Sequence, residues 1–284
     1  MLKKLFFVCI TSVCALTSIK AQINYSTVLN GEFGIGVGAA HYFGDLNNTM
    51  TVDRPKMAAS IFFRKNFGNY IAVRAEGTFA QLGYSDVHSK NEYQKIRNLS
   101  FNANIFEFSV AGDFNFFRFI PGTRDYNFTP YVTLGLGAMS YNPYAYLNNE
   151  KFFLRDLGTE GQNSDLYPNR KPYGSMAMTI PFGVGIKYNV TPAMNVFFEI
   201  KHRFTTTDYL DDVSLTYAGE DAFPLLPNGE FSPAFLLQDR SYEVKGANVG
   251  VAGMQRGISK AKDMFITAQI GVTFNITSYR CPTP

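Results

Sequence analysis

Hydrophobic and polar residues alternate along several stretches of the chain with the two-residue period that is typical of β-strands. The stretch 264–276 shows this most plainly, because from Ile266 onwards its even-numbered positions are all apolar and its odd-numbered positions are polar or small. Seven further strands are predicted at 33–43, 57–67, 70–82, 99–117, 130–141, 176–188 and 194–204. Eight strands with two unlike faces predict an all-β fold.

The connections between these strands alternate between shorter and longer ones, and the longest are 142–174 and 205–263. An even number of strands, with short turns at one end and long loops at the other, is typical of outer-membrane β-barrels. The last strand also resembles the closing-strand signal of such barrels in the spacing of Gln269, Gly271, Phe274 and Ile276. A soluble lipocalin-like barrel, with its apolar face inside, is the alternative that the alternation leaves open.

Two strands depart from regular alternation. In 99–117 the apolar phase changes at Ile105–Phe106, which predicts either a β-bulge or a strand that continues beyond the membrane edge. In 176–188 Pro181 lacks the N–H group that a central strand uses, so we expect the pairing to falter there.

The N-terminus predicts export. Lys3 and Lys4 precede the apolar run 5–16, and Ala21 offers a small residue for cleavage, so 1–21 is interpreted as a signal peptide that is removed. The run is too short to span a bilayer comfortably as an anchor. The remaining divisions are a short periplasmic segment at 22–32, the barrel with its loops at 33–277, and a periplasmic tail at 278–284.

Composition favours a membrane location. Charged residues make up 17 % of the chain, below the ~25 % of typical soluble domains, whereas aromatic residues reach 15 %. No later segment has the ~18 continuous apolar residues of a transmembrane helix. A net charge of +3 argues against a nucleic-acid partner.

These observations predict a transmembrane, antiparallel, up-and-down β-barrel of eight strands, with short periplasmic turns and long extracellular loops. It would lie among the lipids of a Gram-negative outer membrane, with both termini in the periplasm.

The strand faces that would point into such a barrel carry charges of both signs. An eight-stranded barrel is just wide enough for its side chains to fill, and each buried charge needs a partner. We therefore predict a structural network of ion pairs in the lumen and no solute pore. Its members are Arg74, Glu76, Glu107, Asp113, Lys187, Glu199, Lys201 and Arg203.

Catalytic chemistry is sparsely represented. His41, His88 and His202 lack metal-ligand spacing, and no cysteine joins them. His202, near the outer rim, could serve as the base of a lipid-modifying enzyme, but no Ser and acid accompany it. We expect no enzymatic activity, no cofactor and no metal site.

The sharpest acidic cluster is Asp208, Asp211 and Asp212, at the start of the longest loop. A calcium site would arrange several oxygen ligands around a turn, and the EF-hand spacing is missing here. We interpret the cluster as part of a capped, solvated extracellular loop.

Several stretches together resemble the PorG-type outer-membrane barrels of the Bacteroidota type IX secretion system. They are HYFGDLN (41–47), RNLSF (97–101), FEFSVAGDFNFF (106–117), FTPYVTLGLGAMSYNP (128–143), LRDLGTEGQ (154–162), IPFGVGIKY (180–188), TTDYLDDVS (206–214) and RGISKAKDMFITAQIGVTF (256–274). The resemblance implies a non-enzymatic component that links the outer membrane to a periplasmic ring of PorK-like lipoprotein and PorN-like subunits. It carries over no catalytic residues.

Cys281 is the only cysteine left after removal of the signal peptide, and it follows the last predicted strand. An odd cysteine in an exported chain indicates an intermolecular disulfide or a free thiol. At the periplasmic side Cys281 is a candidate tether to a ring subunit, with an unpaired tail residue as the alternative. An OmpA/OmpX-like structural or surface-binding barrel is the second interpretation of the whole chain.

Overall fold

The computed structural model describes residues 27–279, and the side chains of 29–277. The predicted signal peptide and Cys281 lie outside the described residues. Within them the strands are β1 (Thr27–Phe43), β2 (Lys56–Phe67), β3 (Ile71–Ser85), β4 (Ser100–Asn115), β5 (Phe128–Ser140), β6 (Tyr144–Leu147), β7 (Glu150–Phe153), β8 (Met176–Thr191), β9 (Met194–Thr205) and β10 (Met264–Tyr279).

Short helices occupy the connections. They are α1 (Glu92–Arg97), α2 (Leu154–Leu157), α3 (Pro233–Gln238) and α4 (Tyr242–Lys245), with 3₁₀ turns at Asp86–His88, Arg124–Tyr126 and Glu220–Ala222. No helix in residues 27–279 is long and apolar enough to cross a membrane.

Eight of the described strands close into an antiparallel barrel, in the order β1-β2-β3-β4-β5-β8-β9-β10 with β10 returning to β1. The predicted eight-stranded up-and-down barrel is thereby confirmed. We call the end that carries 44–55, 86–99, 141–175 and 206–263 the long-loop end, and the opposite end the short-turn end. The remaining pair, β6 and β7, forms a hairpin that joins β4 through Asn102 and Tyr144.

β1 begins at Thr27, inside the segment 22–32 that the sequence assigns to the periplasm. Its ladder with β2 includes Gly31, opposite Lys65, and Glu32, opposite Arg64. Asn30 and Gly31 interrupt the alternation before Glu32, and the ladder to β2 holds Gly31 and Glu32 in the sheet. Glu32 consequently lies inside the barrel.

β4 decides between the two alternatives predicted at Ile105–Phe106, because it has no bulge there and continues as a strand to Ser100. Its pairing with β3 runs without a register shift from Phe114 to Ser100. Phe101 and Ile105 point inward and Phe106 outward, so the phase change reflects an interior that turns apolar towards the long-loop end. At Pro181, by contrast, the β5–β8 ladder is interrupted as predicted.

The outer surface of the barrel is apolar and its interior is polar over most of its height. On β4 the outward Phe106 and Phe108 are 61 % and 62 % exposed, whereas Glu107 between them is 4 % exposed. Further exposed apolar residues, on every barrel strand, include Phe33, Ile35, Val37, Ile61, Phe63, Val73, Leu134, Leu136, Ile180, Phe182, Val184, Ile186, Phe198, Ile200, Ile270 and Phe274. A soluble barrel would be the reverse, because contiguous apolar surface of this extent is rare in water. The fold is that of a transmembrane barrel.

Candidate functional site in the lumen and at the long-loop end

Ten charged side chains fill the lumen, and we call them the lumen network. Its five carboxylates and five cations are each no more than 4 % exposed: Glu32, Glu76, Glu107, Asp113, Glu199, Arg64, Arg74, Lys187, Lys201 and Arg203. Eight of them are the residues proposed from the sequence, and the structure places all eight together. Glu32 and Arg64 were missed, the first because its strand begins earlier than expected.

Arg74 lies at the centre of the network. Its Nη2 is 3.0 Å from Asp113 Oδ1 and 2.7 Å from Glu199 Oε2, and its Nη1 is 3.3 Å from Glu76 Oε2. Arg64 stands directly opposite Arg74 in the β2–β3 ladder. Like charges at such positions repel, so Asp113, whose Oδ2 lies 2.6 Å from Arg64 Nε, is required between them.

The network continues towards the short-turn end through Glu32. This carboxylate pairs with Arg64 at 2.7 Å and with Lys187 at 2.9 Å. The Thr273 hydroxyl also donates to it.

Towards the long-loop end, Lys201 bridges Glu76 and Glu199, with both distances 2.7 Å. Arg203 Nε then pairs with Glu107 Oε2 at 2.5 Å. Every member of the lumen network is therefore paired with an opposite charge.

Aromatic rings occupy the space that the ion pairs leave. The Phe62 ring lies between two guanidinium groups, with its centroid 5.1 Å from Arg64 Cζ and 5.0 Å from Arg74 Cζ. A Cβ atom at Gly34 would overlap this ring. The inward glycine of β1 therefore provides the room for Phe62.

Removal of Arg74 is expected to destabilise the barrel strongly. In Arg74→Met the carboxylates of Asp113, Glu199 and Glu76 lose their shared cation, and breaking a buried pair in this way costs about 3–5 kcal/mol. The measurement is urea unfolding of the barrel refolded into lipid vesicles, followed by heat-modifiable migration on gels.

The matched control is Lys95→Met, which removes an exposed cation paired with Glu92. It should change stability by less than about 1 kcal/mol. Equal midpoints for both variants would show that the network contributes nothing to stability.

Above the network the interior becomes apolar and is covered by loop residues. Leu82, Phe101 and Ile105 of the barrel meet Leu210 and Val213 of the long loop in one buried cluster. We call the covering segments, 154–162 and 206–263, the cap.

The acidic cluster of the long loop is buried in this cap, which corrects the expectation of a solvated loop. Asp208, Asp211 and Asp212 are 3 %, 2 % and 0 % exposed. Each carboxylate accepts from neighbouring groups, such as the Ser214 hydroxyl at 2.7 Å from Asp208. The loop folds back over the barrel mouth, a long-range contact that the local residue pattern does not reveal.

Glu160 and Arg256 connect the two segments of the cap, and sequence reasoning missed both. Glu160 accepts from the backbone N–H of Ser214 at 2.9 Å and pairs with Arg256 Nη1 at 3.0 Å. Arg256 also donates to the Gln238 carbonyl. Glu160 lies within the stretch 154–162, and Arg256 lies within 256–274. Both stretches carry the family resemblance, and this resemblance was the one signal in the sequence that could have pointed to the two residues.

Carboxylates outnumber cations in and around the cap. Among the described residues, two buried arginines, Arg97 and Arg256, face eight buried acids: Asp45, Asp86, Glu160, Asp208, Asp211, Asp212, Asp239 and Asp263. No group of His, Cys, Asp and Glu within 27–279 has the geometry to hold a metal ion.

Around Tyr42, a protonated carboxyl group compensates for the shortage of cations. The Tyr42 hydroxyl lies 2.5 Å from Asp211 Oδ2 and 3.0 Å from Asp263 Oδ1, but it has one hydrogen to donate. Burial, reinforced by neighbouring carboxylates, raises the pKa of Asp211 and of Asp263 well above the usual range. Burial likewise raises the pKa of Asp212 to about 6, against the opposing effect of Arg256.

The cap is therefore expected to loosen as the pH rises. A carboxyl group with a raised pKa holds its proton more tightly in the closed cap than in an opened one. This contribution to stability is complete below about pH 4, where an unburied Asp also binds its proton, and is lost as the pH rises through the raised pKa. Amide hydrogen exchange of 206–263, corrected for intrinsic rates, should show more protection at pH 5 than at pH 8.

Asp263→Asn should reduce this pH dependence and protect the cap at pH 8. The amide can accept from the Leu210 N–H, as Asp263 does at 2.8 Å, and can donate to the Tyr42 oxygen. Asp165→Asn, at an exposed carboxylate, is the control and should behave as wild type. The same protection in wild type at both pH values would contradict the shared proton.

The histidines do not form a site. His202 lies on the outer face of β9 between the rings of Phe43 and Phe204, and its Nδ1 has no partner within the described residues. His41 Nε2 accepts from the backbone N–H groups of Asp53 and Arg54. Within the described residues no hydrogen bond joins His41 or His202 to a Ser, Thr or Cys side chain.

A family model described as a domain of unknown function (DUF6089) matches residues 3–229. The chain belongs to the DUF6089 family. The match includes β1 to β9, the first segment of the cap and part of the second. No curated protein sequence matches the chain.

Solved structures similar to this DUF6089 chain include three bacterial barrels. For Neisserial surface protein A the TM-score is 0.43 and the identity 9 %, covering 89 % of this chain and 100 % of that one. For Ail of Yersinia pestis the TM-score is 0.38 and the identity 11 %, and the match covers 88 % of this chain and 100 % of that one. For the N-terminal β-barrel domain of Pseudomonas aeruginosa OprF the TM-score is 0.37 and the identity 11 %, and the match covers 87 % of this chain and 98 % of that one.

Proposed function

We propose that this DUF6089 protein is a non-enzymatic, sealed barrel of the Gram-negative outer membrane that acts as an anchor or scaffold for the type IX secretion system. Its partners would be outer-membrane lipid and the periplasmic ring of PorK-like lipoprotein and PorN-like subunits. The short-turn end and both termini would face the periplasm, and the cap the exterior.

The observation that carries the sealed scaffold is the filled lumen. Five carboxylates and five cations pair across it, and the cap closes the long-loop end with buried apolar side chains. A barrel of this kind has no path for a solute. Its function is therefore expected at its ends and outer surface.

The apolar exterior supports the membrane location. Exposed apolar side chains on all eight barrel strands would bury their surface in lipid. Strands can lie in lipid only when the barrel is closed, because closure leaves no backbone N–H or C=O group without a partner. Aromatic residues at the short-turn end, including Phe116, Phe117 and Phe128, match the interfacial girdles of such barrels.

The secretion role is supported by the resemblance of stretches spread over nearly the whole mature chain. The second candidate is an OmpA/OmpX-like barrel that binds a partner through its outer loops. One observation favours it: the cap exposes Val249, Val251 and Met254 at its surface by 41 %, 67 % and 38 %.

Deletion of the gene separates the two candidates. For the scaffold, type IX cargo is expected to accumulate inside the deletion strain, and wild-type protein supplied in trans should restore secretion. Unchanged secretion would favour the surface-binding barrel. Altered lipid A together with intact secretion would favour a lipid-modifying enzyme.

The same strain tests Cys281. For a covalent tether, wild type should migrate with a ring subunit on a non-reducing gel, and Cys281→Ser should not. Identical migration of the two proteins, with the ring intact, would exclude the disulfide.

Reconstitution in planar bilayers tests the sealed lumen. The wild-type barrel is expected to give no stepwise conductance, because side chains occupy its cross-section. A conducting porin inserted under the same conditions is the control. Stable, reproducible single-channel steps would contradict the proposal.

A further inference from the structure

A pocket of about 340 Å³ opens on the outer wall of the barrel, between the β6–β7 hairpin and the adjoining ends of β4 and β5. Phe106, Tyr144 and Phe153 form its apolar lining, and Lys151 and Arg155 contribute two cations. None of its lining residues belongs to the lumen network, and Arg155 comes from the first segment of the cap.

The pocket lies at the boundary of the apolar belt. Phe106 is the last exposed apolar residue on the outward face of β4 before the long-loop end, and the next outward positions are Asn104 and Asn102. Phe106 pairs with Ser140 of β5, which also lines the pocket. In the proposed orientation this is the depth of the headgroups of the outer leaflet.

The hairpin presents its cation to this boundary. Register pairs Tyr144 with Phe153 and Tyr146 with Lys151, so these four side chains share one face. The other face buries Ala145 and Leu147 in the core. Lys151 Nζ lies 3.8 Å from the Tyr144 ring centroid and 4.7 Å from that of Phe153.

The positive charge of the pocket is neutralised only in part. Within the described residues no carboxylate forms an ion pair with Lys151, and Glu150 lies on the opposite face of the hairpin. Arg155 forms an ion pair with the exposed Asp156, at 3.4 Å. Lys and Arg beside aromatic rings at an interface suit a ligand with an anionic head and an apolar body.

We propose that this pocket binds the phosphate group of a phosphorylated glycolipid in the outer leaflet, an inference that rests on the outer-membrane location proposed above. Lys151 and Arg155 contact the phosphate, and an acyl chain lies against Phe106. Asn142, whose Oδ1 has no donor partner within the described residues, faces the same pocket and suits a sugar hydroxyl or amide. The lining, which continues into the belt, favours a lipid over free phosphate.

The test is native mass spectrometry of the full mature barrel in detergent micelles, titrated with diphosphorylated lipid A. Wild type is expected to retain the lipid. The double variant Lys151→Gln/Arg155→Gln should bind at least about tenfold more weakly, because it loses two charge-assisted contacts. Wild type should bind dephosphorylated lipid A as weakly as this variant binds the phosphorylated form.

The matched control is Lys245→Gln/Lys260→Gln, which removes two exposed cations of the long loop and should bind as wild type. Equal binding by the pocket variant and wild type would overturn the proposal. Displacement of the lipid by millimolar inorganic phosphate would assign the pocket to free phosphate. Heat-modifiable migration verifies that each variant is folded.

This assay is independent of the secretion test. Loss of secretion with no lipid retention would leave the scaffold standing and exclude the pocket. Lipid retention with normal secretion would support the lipid pocket and exclude the scaffold. Fractionation that places the protein outside the outer membrane would remove the basis of both.

Discussion

The carboxylate of Asp113 between Arg64 and Arg74 is the interaction on which the rest of the barrel depends. A barrel with an apolar exterior must place its polar side chains inside, and with eight strands the interior is too narrow for water to solvate them. Each unpaired ion there would cost several kcal/mol. The strands can therefore close only if the charges on neighbouring strands alternate in sign or share a counter-ion. Asp113 is the shared counter-ion at the point where Arg64 and Arg74 face each other.

The cap solves the same problem differently. The lumen network is balanced by five cations against five carboxylates, whereas the cap has acids in excess and satisfies them with hydroxyl and backbone donors and with a proton shared around Tyr42. Ion pairs with arginine keep their charges over a wide pH range. A shared proton, by contrast, is lost as the pH rises. The barrel wall should therefore remain stable at a pH that loosens the cap.

Period-two alternation predicted the strands and the eight inward charges because both depend only on which face a residue occupies. It did not find Glu32, which follows Asn30 and Gly31. For the phase change in β4, where the interior changes from polar to apolar, it left open a bulge or a strand that continues beyond the membrane edge, and the structure has no bulge there. The cap could not be predicted in this way. Tyr42 and Asp211 are 169 residues apart in sequence, and no local pattern indicates that the loop returns to the barrel mouth.

The positions of the family-like stretches limit what they can indicate. Glu160, Asp212 and Arg256 lie within them and are 0 %, 0 % and 3 % exposed. Side chains buried to this extent hold the cap together and cannot touch a partner. Chains that share these stretches should therefore share the folded cap. Under the proposed function, we expect their choice of partner to depend on exposed residues such as Val251, on the hairpin around Lys151, and on the short-turn end. Substitutions at those surfaces can change recognition without disturbing the barrel, because the lumen network and the cap core make no contact with the outside.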